Sequence, residues 1–431
     1  MKLVPTAALV VLVALLPAAA AASEWDDYLD SEFQSFVWDD DVRAGYEAYA
    51  GQEYESAAES LTKAIDKGCK DPVVVFRAAY ALRAAGDADT AAGYFKAAKE
   101  RFAVARTDHR YRAEAHFYLA EFYLKHGKHD NAEWELEHAV TLRDDFAEAY
   151  LLYGDLFAAQ GKYHFAAEKY RRAHRADPHS VKPLLNLAVV LLKDGRLAQA
   201  KAALEKARAL EPDNDRIGLM AATIAIADDD LAAARAEYAA IHERNPESVD
   251  ALLGLGYVAW RQGRFNDAAG HYAAILALEP EHLDALYGLA IAEAKQGRID
   301  DAIERLCRVI ELQPNHKNAH YNLGSLYQNK GEYQLAIEEY AQVIKLDPTD
   351  QTTSYNLGIV FIRLKRYDEA REYLEQAVAA FGKDSRWGRA SQKLLDLVIQ
   401  IQQDRPVEID KELEELEKLE KLEKPGTEDA E

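Results

Sequence analysis

An all-α solenoid of about ten helical hairpins is the fold class that this 431-residue sequence predicts, on three observations. Pro178, Pro212, Pro246, Pro280, Pro314 and Pro348 follow one another at intervals of 34 residues, and a fixed period of that size means stacked supersecondary units. Within each period the large apolar residues recur at steps of three and four, which places them on one helical face. The composition, rich in alanine and tyrosine with 12 prolines, 2 cysteines and 29% charged residues, agrees with helices throughout.

Residues 317–350 show the unit most clearly. Numbered from Lys317, positions 7, 8 and 11 are Leu323, Gly324 and Tyr327 on the first helix, and positions 20, 24 and 27 are Ala336, Tyr340 and Val343 on the second. Small residues at 8 and 20 let the two backbones approach, and large ones at 7, 11 and 24 fill the space beside them. Gly331 at position 15 stops the first helix, because glycine accepts the left-handed conformation that a helix end commonly needs. Asp347-Pro348 ends the second, since the residue before proline is pushed out of the helical region.

With the exception of His320 at position 4, where an aromatic is usual, these residues resemble the tetratricopeptide repeat (TPR) pattern at each signature position. The pattern recurs in Gly358, Phe361, Tyr367 and Ala370 one unit later, and in Tyr153, Gly154, Phe157, Gly161, Ala166, Tyr170 and Pro178 five units earlier. The resemblance implies an all-α TPR solenoid, a right-handed superhelix whose units each contact only their neighbours. An unrelated helical solenoid is the competing reading.

Taken in order, residues 1–22 carry Lys2, an apolar run from Ala7 to Leu16, Pro17 and an alanine string, the plan of a signal peptide cut after Ala22. The apolar core is short for a membrane span, although an uncleaved anchor is the alternative. Residues 23–37 form an acidic aromatic leader: the stretch 23–41 holds eight acidic and no basic residues, with Trp25, Tyr28, Phe33, Phe36 and Trp38 among them. It is expected to lie against the first repeat or to dock a partner. The solenoid then spans 38–384, with units near 38–71, 72–112, 113–146, 147–180, 181–214, 215–248, 249–282, 283–316, 317–350 and 351–384. The second unit runs seven residues over the period, two helical turns, in a stretch with Arg101, Arg106, Arg110 and Arg112. The unit from Asp215 has Gly218, Ala221, Ala222 and Ala225 where larger residues are usual, and Asp228, Asp229 and Asp230 at its turn, which predicts thin packing and a bend or hinge. Residues 385–403, with Trp387, Leu394, Leu395, Leu397 and Val398, are expected to cap the last unit. Residues 404–431 are expected to be an acidic charged helix with leucines three apart, followed by a disordered tail.

The formal net charge is −22, of which residues 23–41 carry −8 and residues 404–431 carry −7. Such a balance disfavours nucleic acid and anionic membrane surfaces as partners. No glycine-rich phosphate loop, nucleophile elbow or HExxH pair is present, so no enzyme activity and no cofactor are expected. Cys69 and Cys307 lie seven repeats apart, too far for a disulfide in a linear stack. His126, His129 and His164 occupy interhelical turns of adjacent units, a solvated set more readily than a zinc or copper site.

If positions 4, 7, 8 and 11 pack inward, positions 2, 5, 9, 12 and 13 share another face of each first helix. In TPR proteins that face resembles the wall of a concave groove. Position 5 runs through Leu185, Leu219, Leu253, Tyr287, Tyr321 and Tyr355, and Tyr257 and Trp260 add to it from positions 9 and 12. Each position-5 side chain either faces the groove or packs against the next unit. Arg261, Lys295 and Arg363 at position 13 make a basic file, which helix-dipole compensation also explains. Asn186, Asn322 and Asn356 at position 6 resemble the asparagine ladders by which relatives hold a peptide backbone. The family's carboxylate clamp needs lysine at 5, where this chain has leucine or tyrosine. The expected function is a non-catalytic, exported scaffold whose groove binds an extended peptide or a protein surface. Resemblance implies envelope assembly, secretion or polysaccharide export; a glycan-handling or enzyme-associated subunit is the alternative, kept open by the aromatics Tyr257, Trp260 and Tyr287.

Overall fold

The computed structural model describes residues 40–105, 109–382 and 384–403. The expected signal peptide, the leader up to Asp39 and the charged segment 404–431 lie outside the described residues. Among the described residues all regular structure is helical.

The helices follow as antiparallel hairpins. They are α1 (Asp40–Ala50), α2 (Tyr54–Asp66), α3 (Pro72–Ala84), α4 (Ala88–Ala105), α5 (His109–Lys125), α6 (His129–Leu142), α7 (Ala147–Ala159), α8 (Tyr163–Ala176), α9 (Lys182–Lys193), α10 (Leu197–Leu210) and α11 (Asp215–Ala227). The series continues through α12 (Leu231–Arg244), α13 (Val249–Arg261), α14 (Phe265–Leu278), α15 (Leu283–Lys295), α16 (Ile299–Leu312), α17 (Lys317–Lys330), α18 (Tyr333–Leu346), α19 (Gln351–Arg363), α20 (Tyr367–Phe381) and α21 (Arg386–Gln402). Most helices have 13 or 14 residues. The seven extra residues of the second unit are shared between α4, with 18 residues, and α5, with 17. The described residues divide into two compact units, 40–224 and 225–403. The division falls inside α11, the helix with small residues where its counterparts have large ones.

Local chemistry sets each hairpin. The Asp350 side chain caps α19 by accepting from the Thr353 amide, and Asp71 caps α3 from Val73, so amides left unpaired at a helix start find acceptors. Gly331 closes α17 with φ of 81°, in the left-handed region. The hairpin contact is a small residue against a ring: a Cβ added at Gly324 would lie 2.8 Å from Tyr340, and one at Gly256 would lie 2.8 Å from Tyr272. A side chain at either site would displace a ring that is itself buried.

Each unit has its own apolar interior. In the N-terminal unit Phe76, Phe95, Phe102 and Leu119 are buried in one cluster and Leu136, Leu156, Tyr170 and Leu184 in another. In the C-terminal unit Leu306 and Val309 pack with Leu286 and Leu323, while Tyr340, Tyr355, Leu374 and Leu394 form the cluster that α21 completes. Trp387, at the start of α21, lies against Tyr355 at 5.5 Å between ring centroids and stacks on Phe381 at 6.1 Å.

Candidate partner-binding face

The first helix of each hairpin supplies the candidate face, and within the C-terminal unit these are α13, α15, α17 and α19. On α13, Leu253, Tyr257 and Trp260 fall at positions 5, 9 and 12, about one turn apart, and all three are half-buried. Leu253 packs on the cluster around Tyr272, and Trp260 on that cluster and on the one around Leu286. The Trp260 Nε1 hydrogen has no acceptor among the described residues although the atom is buried. Trp260 is therefore packed on the core along one side and partly exposed along the other. Arg261 is exposed, donates to Tyr257 Oη at 3.1 Å and pairs with Asp229 at 2.7 Å. These contacts hold its guanidinium above the ordinary arginine range, the hydrogen bond to Tyr257 contributing most. The planar fork thus fixes the Tyr257 hydroxyl and joins α13 to the turn before α12.

Two candidate wall residues belong to the core. Tyr287 is 3% exposed and Tyr355 is 2% exposed, so position 5 on α15 and α19 packs between helices rather than facing solvent. Burial pushes the Tyr287 phenol up to about 12, opposed by the hydrogen bond from Asn322. The physical reason differs between them. Tyr287 is held under Asn322 of the following hairpin, whereas Tyr355 is covered by Trp387 of α21. Tyr321 on α17 stays half-buried, with its ring 6.0 Å from Tyr340.

The asparagines do other work than the sequence pattern implied. Asn322 Nδ2 donates to Tyr287 Oη at 2.7 Å and to the Asn318 carbonyl at 2.9 Å, so both of its amide hydrogens are used inside the unit. Asn356 Nδ2 donates to Tyr321 Oη at 3.1 Å, the same step from position 6 of one hairpin to position 5 of the one before. They are ties between hairpins, and at Asn322 a partner backbone would have to take the amide oxygen. Lys295 is exposed at the end of α15, and Arg363 is half-buried at the end of α19.

The remaining candidates lie in the N-terminal unit. Leu185 and Asn186 on α9 and Leu219 on α11 are half-buried. Asn186 Nδ2 donates to Asp155 at 3.0 Å, and Tyr170 Oη donates to the same oxygen at 2.6 Å. Burial raises the Asp155 carboxyl above its ordinary range. The same unit holds features that period-based reading passed over. Tyr49, Tyr80 and Tyr118, on α1, α3 and α5, follow one another at 5.7 Å between centroids, with Arg83 4.8 Å over the Tyr118 ring. His116 at position 4 meets Glu135 at position 23, and His320 meets Glu339 in the same two positions of a later hairpin. The signal was available, because histidine replaces the usual aromatic at position 4 in both.

Among the described residues no group of three or more His, Cys, Asp or Glu side chains is arranged to hold a metal ion, and His126 faces Asp89 at 3.5 Å. Both cysteines are free thiols. No described helix is long and apolar enough to cross a membrane.

A family model described as tetratricopeptide repeat matches residues 42–105, 219–281, 253–317, 287–351 and 321–385, and a second with the same description matches 157–224, together more than half of the chain. The chain is a member of the tetratricopeptide repeat family. TPR proteins are generally non-catalytic interaction scaffolds that bind peptides or proteins. Comparison with curated proteins gives no match. Among solved structures, the C-terminal part of a TPR protein from Cytophaga hutchinsonii is 19% identical with a TM-score of 0.51, covering 57% of this chain and 98% of that one. A TPR protein from Parabacteroides merdae is 19% identical with a TM-score of 0.46 over 59% of this chain and 98% of that one. The protein MamA is 27% identical with a TM-score of 0.36 over 37% of this chain and 93% of its own. At 19% identity the first likeness bears on the fold alone.

Proposed function

We propose that this TPR protein is an exported, non-catalytic scaffold whose C-terminal unit holds an extended peptide or a protein surface on the first-helix face of α13, α15 and α17. The observation that carries the reading is the run Leu253, Tyr257 and Trp260, three large side chains at successive turns of one helix that remain half-exposed while Tyr287 and Tyr355 are buried. Half-exposed rings beside exposed Lys295 and Arg261 form a partly apolar patch with a charged rim, the usual composition of a partner site. An export signal in residues 1–22 puts such a scaffold in the cell envelope, with assembly, secretion or polysaccharide export as the settings it would serve.

Capture from an envelope extract, run in parallel on the wild type and on Tyr257→Ala, tests the binding face. A captured protein lost with Tyr257→Ala at unchanged melting supports it, and capture equal for both proteins removes α13 from the site. Binding of a polysaccharide in place of any protein would favour the glycan-handling alternative. Sequencing of the mature N-terminus tests export: a start at Ser23 supports it, and an intact Met1 in a membrane fraction overturns it.

A further inference from the structure

We propose that His116, Glu135 and Lys99 form an acid-sensitive latch in the N-terminal unit, in which protonation of His116 loosens the α5–α6 hairpin. His116 on α5 is 2% exposed and Glu135 on α6 is 3% exposed. The Glu135 carboxylate is shared: one oxygen lies 2.5 Å from His116 Nδ1 and the other 2.6 Å from Lys99 Nζ of α4. Lysine and carboxylate cancel each other's charge, so the buried cluster is neutral when the histidine is neutral. Its Nδ1 hydrogen then points at Glu135, and its Nε2 carries only a lone pair.

That Nε2 is buried and has no hydrogen-bond partner among the described residues. As a lone pair it lacks only a donor. With a proton it becomes a buried charged donor without an acceptor, which is the costlier state. The charged and titratable groups facing the ring are Lys99 from α4, and Glu135 and His138 from α6; Arg112 stands one turn earlier on α5 itself. Burial holds His116 below the ordinary histidine range, Lys99 and His138 act in the same direction, and only Glu135 opposes them. His138 stacks on His116 at 5.4 Å and lies tilted against Trp134 at 3.8 Å, and Lys99 stands 4.8 Å over the Trp134 ring. Trp134 is 49% exposed, so Lys99 of α4 and His138 hold a surface indole of α6 beside the cluster.

A histidine depressed by folding contributes stability that is complete above its unfolded value of 6.5 and is lost as pH falls through its lower folded value. Acidification therefore loosens this hairpin. The His320 pair supplies an internal contrast. Its Nδ1 faces Glu339 at 2.6 Å and its Nε2 faces the Pro314 carbonyl at 3.0 Å, so both ring nitrogens meet acceptors and a second proton leaves no donor unpaired.

Hydrogen exchange on the full chain at about pH 7.5 and about pH 5.5, corrected for intrinsic rates, reads the latch directly. Protection across 109–142 should fall by up to about tenfold at the lower pH, the most that an open-state histidine titrating at 6.5 allows one pH unit below that value, while 367–381, which holds no histidine, keeps its protection. His116→Gln should abolish that difference. Equal protection of 109–142 at both pH values, or an unchanged pH response in His116→Gln, would overturn the proposal. If that variant does not fold, ring resonances of the wild type decide: titration below about 6.5 with the neutral proton on Nδ1 supports the latch, and titration at or above that value, or a neutral proton on Nε2, sinks it.

Discussion

Leu253 and Tyr355 occupy the same repeat position in the C-terminal unit and meet opposite fates. Leu253 on α13 is half-buried, and the residues one and two turns further on, Tyr257 and Trp260, are half-buried too. Tyr355 on α19 is 2% exposed, and Ile362 at the position corresponding to Trp260 is 1% exposed. The hairpins are built alike, with glycine at position 8 against a large residue at 24: Gly256 against Tyr272 and Gly358 against Leu374. What differs is the neighbour. Trp387 of α21 stands edge-on to the Tyr355 ring, so the terminal helix turns a wall position into core. Position within a repeat therefore assigns a residue to a face, and the element packed against that face decides whether it meets solvent.

The contrast is most sharply broken at its buried end. Tyr355→Ala should destabilise the C-terminal unit by about 3 to 5 kcal/mol, the scale for removing a buried aromatic, as read by chemical denaturation. A loss under about 1 kcal/mol would put the ring on the surface after all.

Next in size are the two glycines, which should behave alike if the hairpins share one design. A Cβ at Gly256 would lie 2.8 Å from Tyr272 and one at Gly358 would lie 2.6 Å from Leu374. Replacing either with leucine should cost about 1 to 3 kcal/mol or more by overfilling the contact. A large loss at one site and none at the other, measured by melting, would show that the two hairpins are not equivalent.

Trp260→Ala sharpens the comparison at its open end. With the ring half-buried, the stability loss should be about half that of a fully buried tryptophan, roughly 2 kcal/mol, and partner capture should weaken by about 2 kcal/mol beyond that, the scale of an interface hot spot. Melting and capture measured on the same protein separate the two. Loss of melting alone would assign Trp260 to the core with Tyr355.

A smaller effect is expected from Asn322→Ala, which removes the donor to Tyr287 Oη and should cost about 1 kcal/mol. Its fingerprint is location, because urea unfolding should weaken the contact between α15 and α17 first. If the variant lost partner capture at unchanged stability, the asparagine would be a binding residue and not a tie. Lys295→Glu should be the mildest, within about 0.5 kcal/mol in stability. Its capture defect for an acidic or backbone-held partner should grow at low salt, where exposed charges are least screened. Identical capture at every salt concentration would leave compensation of the helix dipole as the role of Lys295.

The sequence by itself determined the period, the hairpin and the packing register. These depend on neighbours three and four residues away on one helix, on proline and glycine at chain-local stops, and on small residues that admit a ring, all of which are legible in Gly324, Ala336, Tyr340 and Pro348. Family membership follows from the same residues. Only the tertiary structure decided that Tyr287 and Tyr355 are core, that Asn322 and Asn356 tie one hairpin to the previous one, and that His116 carries a buried nitrogen without a partner while His320 does not. Those outcomes depend on groups 19 to 35 residues away, on a terminal helix that is not a repeat, or, for the second nitrogen of His320, on a carbonyl six residues back. A side chain's periodic position specifies its direction from its own helix. Burial and hydrogen-bond satisfaction are set by what the next helix places there, and no local pattern encodes it.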